Sequence, residues 1–373
     1  MRFLGIERIG YGFLWILVLS TLGCVTPPDT VYRDEPVQQV ASSRETRPRR
    51  EVPERRPSRE PVEVFPETKS YRDPGTGQEY LMNPNWRRSG KGEDGSGQIE
   101  VVLYEASSLQ DQQLNAVGCQ VDPGFIVVGG GAYAEYGSGV GAFLTETRPL
   151  DENLTAWVAS SKDHLYPNPH RLYFYAIGLR LRDRGDYTLP RSELLKYIRI
   201  NQATSVSEMH PHGQSEIPAR RFRLGGGARV NYSGAGNLLV RSIPTPAGWA
   251  ALSKDHSVIS PATVTAYTIY VSTPDGSIPG FGRMEYSIVE KEGPQVPTGV
   301  GTAKQEVSRG WVLTGPGGED ASYRPPPGYF GRLLFGIRPE GPYVSQVAVF
   351  TKDHHVPQGG ITRVSFIQIR KQR

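Results

Sequence analysis

The chain has almost no cysteine. Cys24 and Cys119 are the whole complement of its 373 residues, whereas an exported domain stapled by disulfides carries an even set within its folded part. Cys119, in "NAVGCQVDPG", has no basic neighbour in the sequence to activate it and reads as a buried, inert side chain. A charge excess is missing too. The 42 Lys and Arg face 38 Asp and Glu, for a formal net charge of +4. The basic residues gather into no aromatic-interleaved stripe, so nucleic acid is not an expected partner. Long apolar helical patterns are absent. What is plentiful is Gly (43), Pro (31) and Tyr (19), the composition of many short strands joined by turns. The expected fold class is all-β.

The first 24 residues stand apart. Arg2 and Arg8 make a basic start, "YGFLWILVLSTL" is an apolar run of about a dozen residues, and Leu22-Gly23-Cys24 ends it. Such a run is too short to span a bilayer and has the length of a signal-peptide core. The Gly-Cys end before polar, Pro-rich sequence resembles the lipobox of bacterial lipoproteins, although Thr21 stands where that family prefers leucine. The resemblance implies acylation of Cys24, attachment to the membrane through the lipid, and residence in the bacterial cell envelope, the outer membrane foremost.

Residues 25–96 read as a tether. "SSRETRPRREVPERRPSREPVEVFPE" mixes Pro, Arg and Glu with little to bury. Fully extended at about 3.1 Å per residue, such a segment reaches on the order of 200 Å.

The rest is a threefold repeat. Lys-Asp-His occurs as Lys162-Asp163-His164, Lys254-Asp255-His256 and Lys352-Asp353-His354, in a chain with seven histidines. Aligning on it brings three glycine clusters into register: Gly129-Gly130-Gly131, Gly225-Gly226-Gly227, and Gly315 with Gly317 and Gly318 around Pro316. A strand-like segment ending at Pro149, Pro244 or Pro339 follows, then a segment with Trp157, Trp249 or Val347 five residues before the lysine, then an aromatic strand such as "LYFYAIGL". Three units result, at 97–183, 184–279 and 280–373, each read as about five short strands. One compact pseudo-threefold body, resembling β-prism and β-trefoil proteins in its logic, is the expected arrangement. Three β-sandwich-like domains in tandem are the alternative. The pattern is also similar to that of uncharacterised secreted bacterial repeat proteins, which implies no activity.

The glycine clusters invite a phosphate-cradle reading, but that fingerprint needs a helix after the glycines, and strand-like sequence follows here. A bulge or a close crossing of backbones accounts for them. Pro316 forbids its position a positive φ, so the third cluster is expected to turn differently.

For the Lys-Asp-His triplets three readings stand. Each Asp caps a turn by accepting backbone N–H bonds. Or each triplet is one of three equivalent binding sites, suited to a glycan, with Trp157 and Trp249 as stacking rings. Or the three histidines converge on an axis and form a metal site. Near-identical copies argue against catalysis, which needs differentiated residues, and Gly137-Ser138-Gly139 matches a nucleophile elbow only in part. His210 and His212, in "EMHPHGQSE", are a weak metal pair or part of a polar loop. The expected function is a non-enzymatic, membrane-anchored module binding a glycan or an envelope or extracellular protein, without cofactor. A purely structural envelope component, with the triplets as turn corners, is the alternative.

Overall fold

The computed structural model describes residues 66–135, 137, 141–183, 187–324 and 331–372. Cys24, the signal-like segment and the tether up to residue 65 lie outside the described residues.

The expected tether ends earlier than residue 96. Strands β1 (Lys69–Arg72), β2 (Glu79–Met82) and β3 (Arg87–Glu93) belong to the folded body. The reason is a few apolar residues within the polar sequence: Tyr80, Met82 and Trp86 are buried, and β2 lies beside the first unit in parallel pairing. Their burial offsets the cost of ordering a segment otherwise too polar to fold.

Each unit holds six strands, one more than its sequence suggests. The first unit contains β4 (Ile99–Ser107), β5 (Leu114–Gln120), β6 (Ile126–Glu135), β7 (Ala142–Pro149), β8 (Ala156–Asp163) and β9 (Arg171–Leu181). A short helix, α1 (Arg191–Tyr197), leads to the second: β10 (Ile198–Thr204), β11 (His212–Glu216), β12 (Phe222–Asn231), β13 (Leu238–Pro244), β14 (Gly248–Lys254) and β15 (Thr263–Val271). After β16 (Ser277–Ile278) come β17 (Gly282–Val296), β18 (Val300–Glu306), β19 (Val312–Asp320), β20 (Leu333–Glu340), β21 (Gln346–Lys352) and β22 (Gly360–Lys371). The strands missing from the sequence reading are β5, β11 and β18. "HGQSE" and "VGTAKQE" carry too little apolar alternation to register, and hydrogen bonding to β14 and β21 makes them strands.

The strands form three sheets in the orders β1-β2-β5-β8-β7-β12-β15-β10, β11-β14-β13-β19-β22-β17-β16 and β18-β21-β20-β6-β9-β4-β3. Every sheet takes the second, fifth and fourth strands of one unit and the third, sixth and first strands of another. The junctions are short antiparallel seams: Arg229 opposite Glu146, Arg241 opposite Glu319, and Gly336 opposite Tyr133. The third seam joins the last unit to the first. Tandem sandwich domains do not describe this topology, because no unit keeps its strands in one sheet, and Val62–Arg373 forms one compact unit.

The glycine clusters lie within strands, and none of their residues has a positive φ. The turn expected to differ at Pro316 is therefore no turn: Pro316 sits in β19 opposite Phe366. Each third strand carries a bulge at the cluster, between Val127 and Gly129, Arg223 and Gly225, and Leu313 and Gly315. There the three strands abut. A Cβ at Gly129 would stand 1.9 Å from the Thr314 carbonyl oxygen, and one at Gly225 would stand 1.9 Å from that of Val128. A Cβ at Gly315 would meet Gly225 Cα at 2.7 Å. Glycine is required because backbone occupies the space of a side chain.

Around this contact one continuous core gathers Leu144, Leu239 and Leu334, one from each unit, with Trp157, Trp249, Phe174, Ile269 and Phe366. Trp157 presses on Gly130 and Trp249 on Gly226, leaving each glycine no room for a Cβ. In the third unit proline replaces the middle glycine and Val347 replaces the indole, so the larger backbone residue comes with the smaller side chain. A second cluster, with Phe143, Leu238 and Leu333 at the starts of the fourth strands, lies towards the Lys-Asp-His end.

Candidate functional site: a histidine apex and two clefts

The triplets begin within the last residues of the fifth strands, β8, β14 and β21, and their three residues have three different tasks. Asp163 accepts the backbone N–H of Asn168 at 2.9 Å, Asp255 that of Ser260 at 3.3 Å, and Asp353 that of Gln358 at 3.2 Å. Each carboxylate thus closes the loop that leaves its own triplet, always five residues on. Asp353 also accepts the N–H of Gly299.

Two of the lysines reach across to the next unit. Lys162 Nζ donates to the carbonyl of Ala235 in the loop between β12 and β13, and it sits over the Tyr232 ring. Lys254 Nζ lies 3.4 Å from the carbonyl of Gly331, just before β20. Lys254 is almost fully buried, and burial lowers its pKa to about 7. Burial also lowers the pKa values of Lys162 and Lys352.

The histidines converge. The ring centroids of His164, His256 and His354 are 5.8, 5.5 and 4.9 Å apart, so one residue from each unit meets the other two. All three are buried. The chain reaches this geometry by a left-handed residue after the histidine in two copies, Leu165 and Ser257, each at φ 65°. The third copy carries a second histidine, His355, whose ring packs against His354 and Tyr166. His164 Nε2 donates to the His256 carbonyl, which leaves its Nδ1 as the unprotonated nitrogen. Burial lowers the pKa of His164. That of His354 falls to about 2, first through burial and then through His256, His355, His164 and Lys352.

Trp157 and Trp249 belong to the core. Both are fully buried, and their indole N–H groups donate to Thr147 Oγ1 and Ser242 Oγ. Neither presents a face on which a sugar could stack. His210 and His212 are not brought together. His210 bonds Tyr323 and lies 3.7 Å from Asp255, whereas His212 is exposed in the edge strand β11, opposite Leu252. Among the described residues no group of three or more His, Cys, Asp or Glu side chains is arranged to hold a metal ion as it stands. Cys119 is buried in the core, and burial raises its thiol pKa, in keeping with an inert role.

Open concave surface lies elsewhere, on the outer faces of the sheets. At the seam between β7 and β12 a cleft of about 490 Å³ is lined by Asn201, Gln202, Asn231, Thr265, Tyr267 and Arg148, among others. At the seam between β20 and β6 a cleft of about 560 Å³ is lined by Arg87, Arg88, Glu105, Tyr175 and Arg338. The two are related. Tyr267 faces Gly227 and Tyr175 faces Gly131 in the same register, and Arg148 and Arg338 each precede the seam proline. The third seam has Ser365 and Ile243 at these places. The signal was present in the sequence as Arg-Pro in two units against Ile-Pro in the other, but nothing local marked it as surface.

No family model matches the chain, and no curated protein matches it significantly. Among the described residues no helix is long and apolar enough to cross a membrane.

Proposed function

We propose that the protein is a non-enzymatic binding module of the bacterial cell envelope, lipid-anchored at Cys24, with a glycan as its ligand. The observation that carries this reading is the paired cleft. Two related seams each form a cleft, and at the first the larger share of the polar lining is amide and hydroxyl, from Asn201, Gln202, Thr204, Asn231 and Thr265 among others. Uncharged donors and acceptors such as those of the first cleft suit sugar hydroxyls, the arginines and glutamates of the second can bond hydroxyls too, and two sites on one body raise avidity without new contacts. The glycan site proposed here is thus the clefts, and the aspartates and lysines of the triplets serve the fold.

A glycan array with the full chain tests this. Gln202→Trp and Arg87→Trp, both at exposed positions, would block one cleft each. Binding should fall at least tenfold in either variant and vanish in the double variant. Binding unchanged in a folded double variant would overturn the reading. Anchoring is tested separately: Cys24→Ala should move the protein out of the membrane fraction.

A second reading, a structural envelope component without a small ligand, is favoured by the aspartate caps and the lysine ties, which engage most of the triplets' polar groups within the protein. It expects no glycan to bind either cleft.

A further inference from the structure

We propose that the histidine apex is a transition-metal site in which His164, His256 and His354 bind one zinc-class divalent cation through a ring nitrogen each. The reading goes beyond the glycan module and does not depend on it.

The first argument is spacing. A Zn–N bond of about 2.0–2.1 Å places each imidazole centroid roughly 3.2 Å from the metal, so three rings around a tetrahedral or trigonal centre have centroids about 5.2–5.5 Å apart. The observed separations, 4.9, 5.5 and 5.8 Å, bracket that value. The positions of the three residues are therefore those of a three-histidine centre. What differs is ring orientation, since His164 Nε2 is turned to the His256 carbonyl. Rotation about the side-chain torsions redirects the nitrogens while the capped loops stay in place.

The second argument is unmet hydrogen bonding. His354 is more than nine-tenths buried, and neither ring nitrogen has a hydrogen-bond partner among the described residues. His164 Nδ1 is likewise buried without one. Apolar packing alone would be served by Phe or Leu, which leave no orphaned polar atom, and each such buried atom is destabilising. A metal ion supplies the missing partner. Imidazole-only donors favour zinc, copper, nickel or cobalt over magnesium or calcium. His355 is excluded from the set: its centroid is 3.5 Å from that of His354, too close for two ligands on one ion. It covers the apex, and the fourth coordination position is left to water or an exogenous ligand.

The test is metal uptake by the full chain after chelator treatment. Zinc titration followed by dialysis should leave one equivalent per chain, and cobalt(II) should give the intense visible absorption of a tetrahedral site. His354→Gln should lower the affinity at least a hundredfold, and the conservative His164→Gln should do the same. His212→Ala, at an exposed position, should change nothing. Because a variant can fail to fold, the cobalt spectrum of the unaltered protein stands on its own. No stoichiometric uptake by that protein would overturn the proposal, as would undiminished uptake by a folded His164→Phe/His256→Phe/His354→Phe variant.

Discussion

Arg241 Nε lies 2.5 Å from Glu319 Oε2, and the two residues face each other across the seam between the second and third units. Arg363 meets the other carboxylate oxygen at 2.8 Å. The first seam repeats the device with Glu146, which Arg148 contacts at 2.6 Å and Arg229 at 3.7 Å. The third seam has Tyr133 and Gly336 instead. Two of the three inter-unit joints are therefore clamped by a buried carboxylate held between two arginines.

Removing the Glu319 carboxylate leaves the partly buried Arg241 without its partner, while Arg363 keeps Glu292. Glu319→Ala should cost about 3 kcal/mol, measured by urea denaturation. Replacing Arg241 and Glu319 together by Met should recover at least half of it, since the joint then needs only to exclude water. A cost under about 0.5 kcal/mol for the single variant would show that the seam is held by backbone pairing alone.

Gly130→Ala tests the close approach at the centre. The new methyl would stand 2.2 Å from the Tyr175 carbonyl and 2.6 Å from the Trp157 ring. A loss of about 3 kcal/mol is expected, with Gly226→Ala matching it. Gly137→Ala, where nothing among the described residues lies within 4 Å, should be neutral within about 0.5 kcal/mol. Equal melting temperatures for all three would contradict the packing described.

The aspartates should be worth about 1 kcal/mol each as caps, seen in single Asp→Ala melts. Asp353→Ala should be the most damaging, because it also holds the N–H of Gly299 in the loop before β18.

Stability should depend on pH in two windows. The folded protein keeps His354 neutral down to about pH 2, whereas the unfolded chain takes up its proton below about 6.5. The unfolded state then binds more protons, so stability falls as pH drops from 6.5 towards 2. Lys254 acts higher up. Its folded value near 7 against an unfolded value of 10.5 makes stability rise with pH between them. Lys254→Met should reduce the slope in the upper window, to which Lys162 and Lys352 also contribute, and His354→Phe that in the lower one, which His164 and His170 share, in urea melts from pH 4 to 10. Unchanged slopes would mean that these groups are hydrated in solution.

Much of the fold was legible because its signals are local. The alternation in "LYFYAIGL" and "VTAYTIYV" and the fixed distances between glycine cluster, proline and triplet define strands and a repeat without reference to partners. The second strands of the units, β5, β11 and β18, were not legible, since their strand character comes from the neighbours that bond them. The β1–β3 segment was hidden in a tether-like composition until Tyr80 and Met82 found a sheet to bury against.

The site divides the same way. The sequence by itself determined that Lys, Asp and His recur at one corner of each unit, that glycine clusters precede them, and that the chain is all-β. Only the tertiary structure decided that each sheet is shared between two units, that both indoles are inside, and that three histidines 92 and 98 residues apart in the chain meet within 6 Å. The physical reason is that alternation and spacing record which face of a strand is buried. They do not record which strand from another unit buries it, because that choice is made by seam pairing and close packing between segments far apart in the chain.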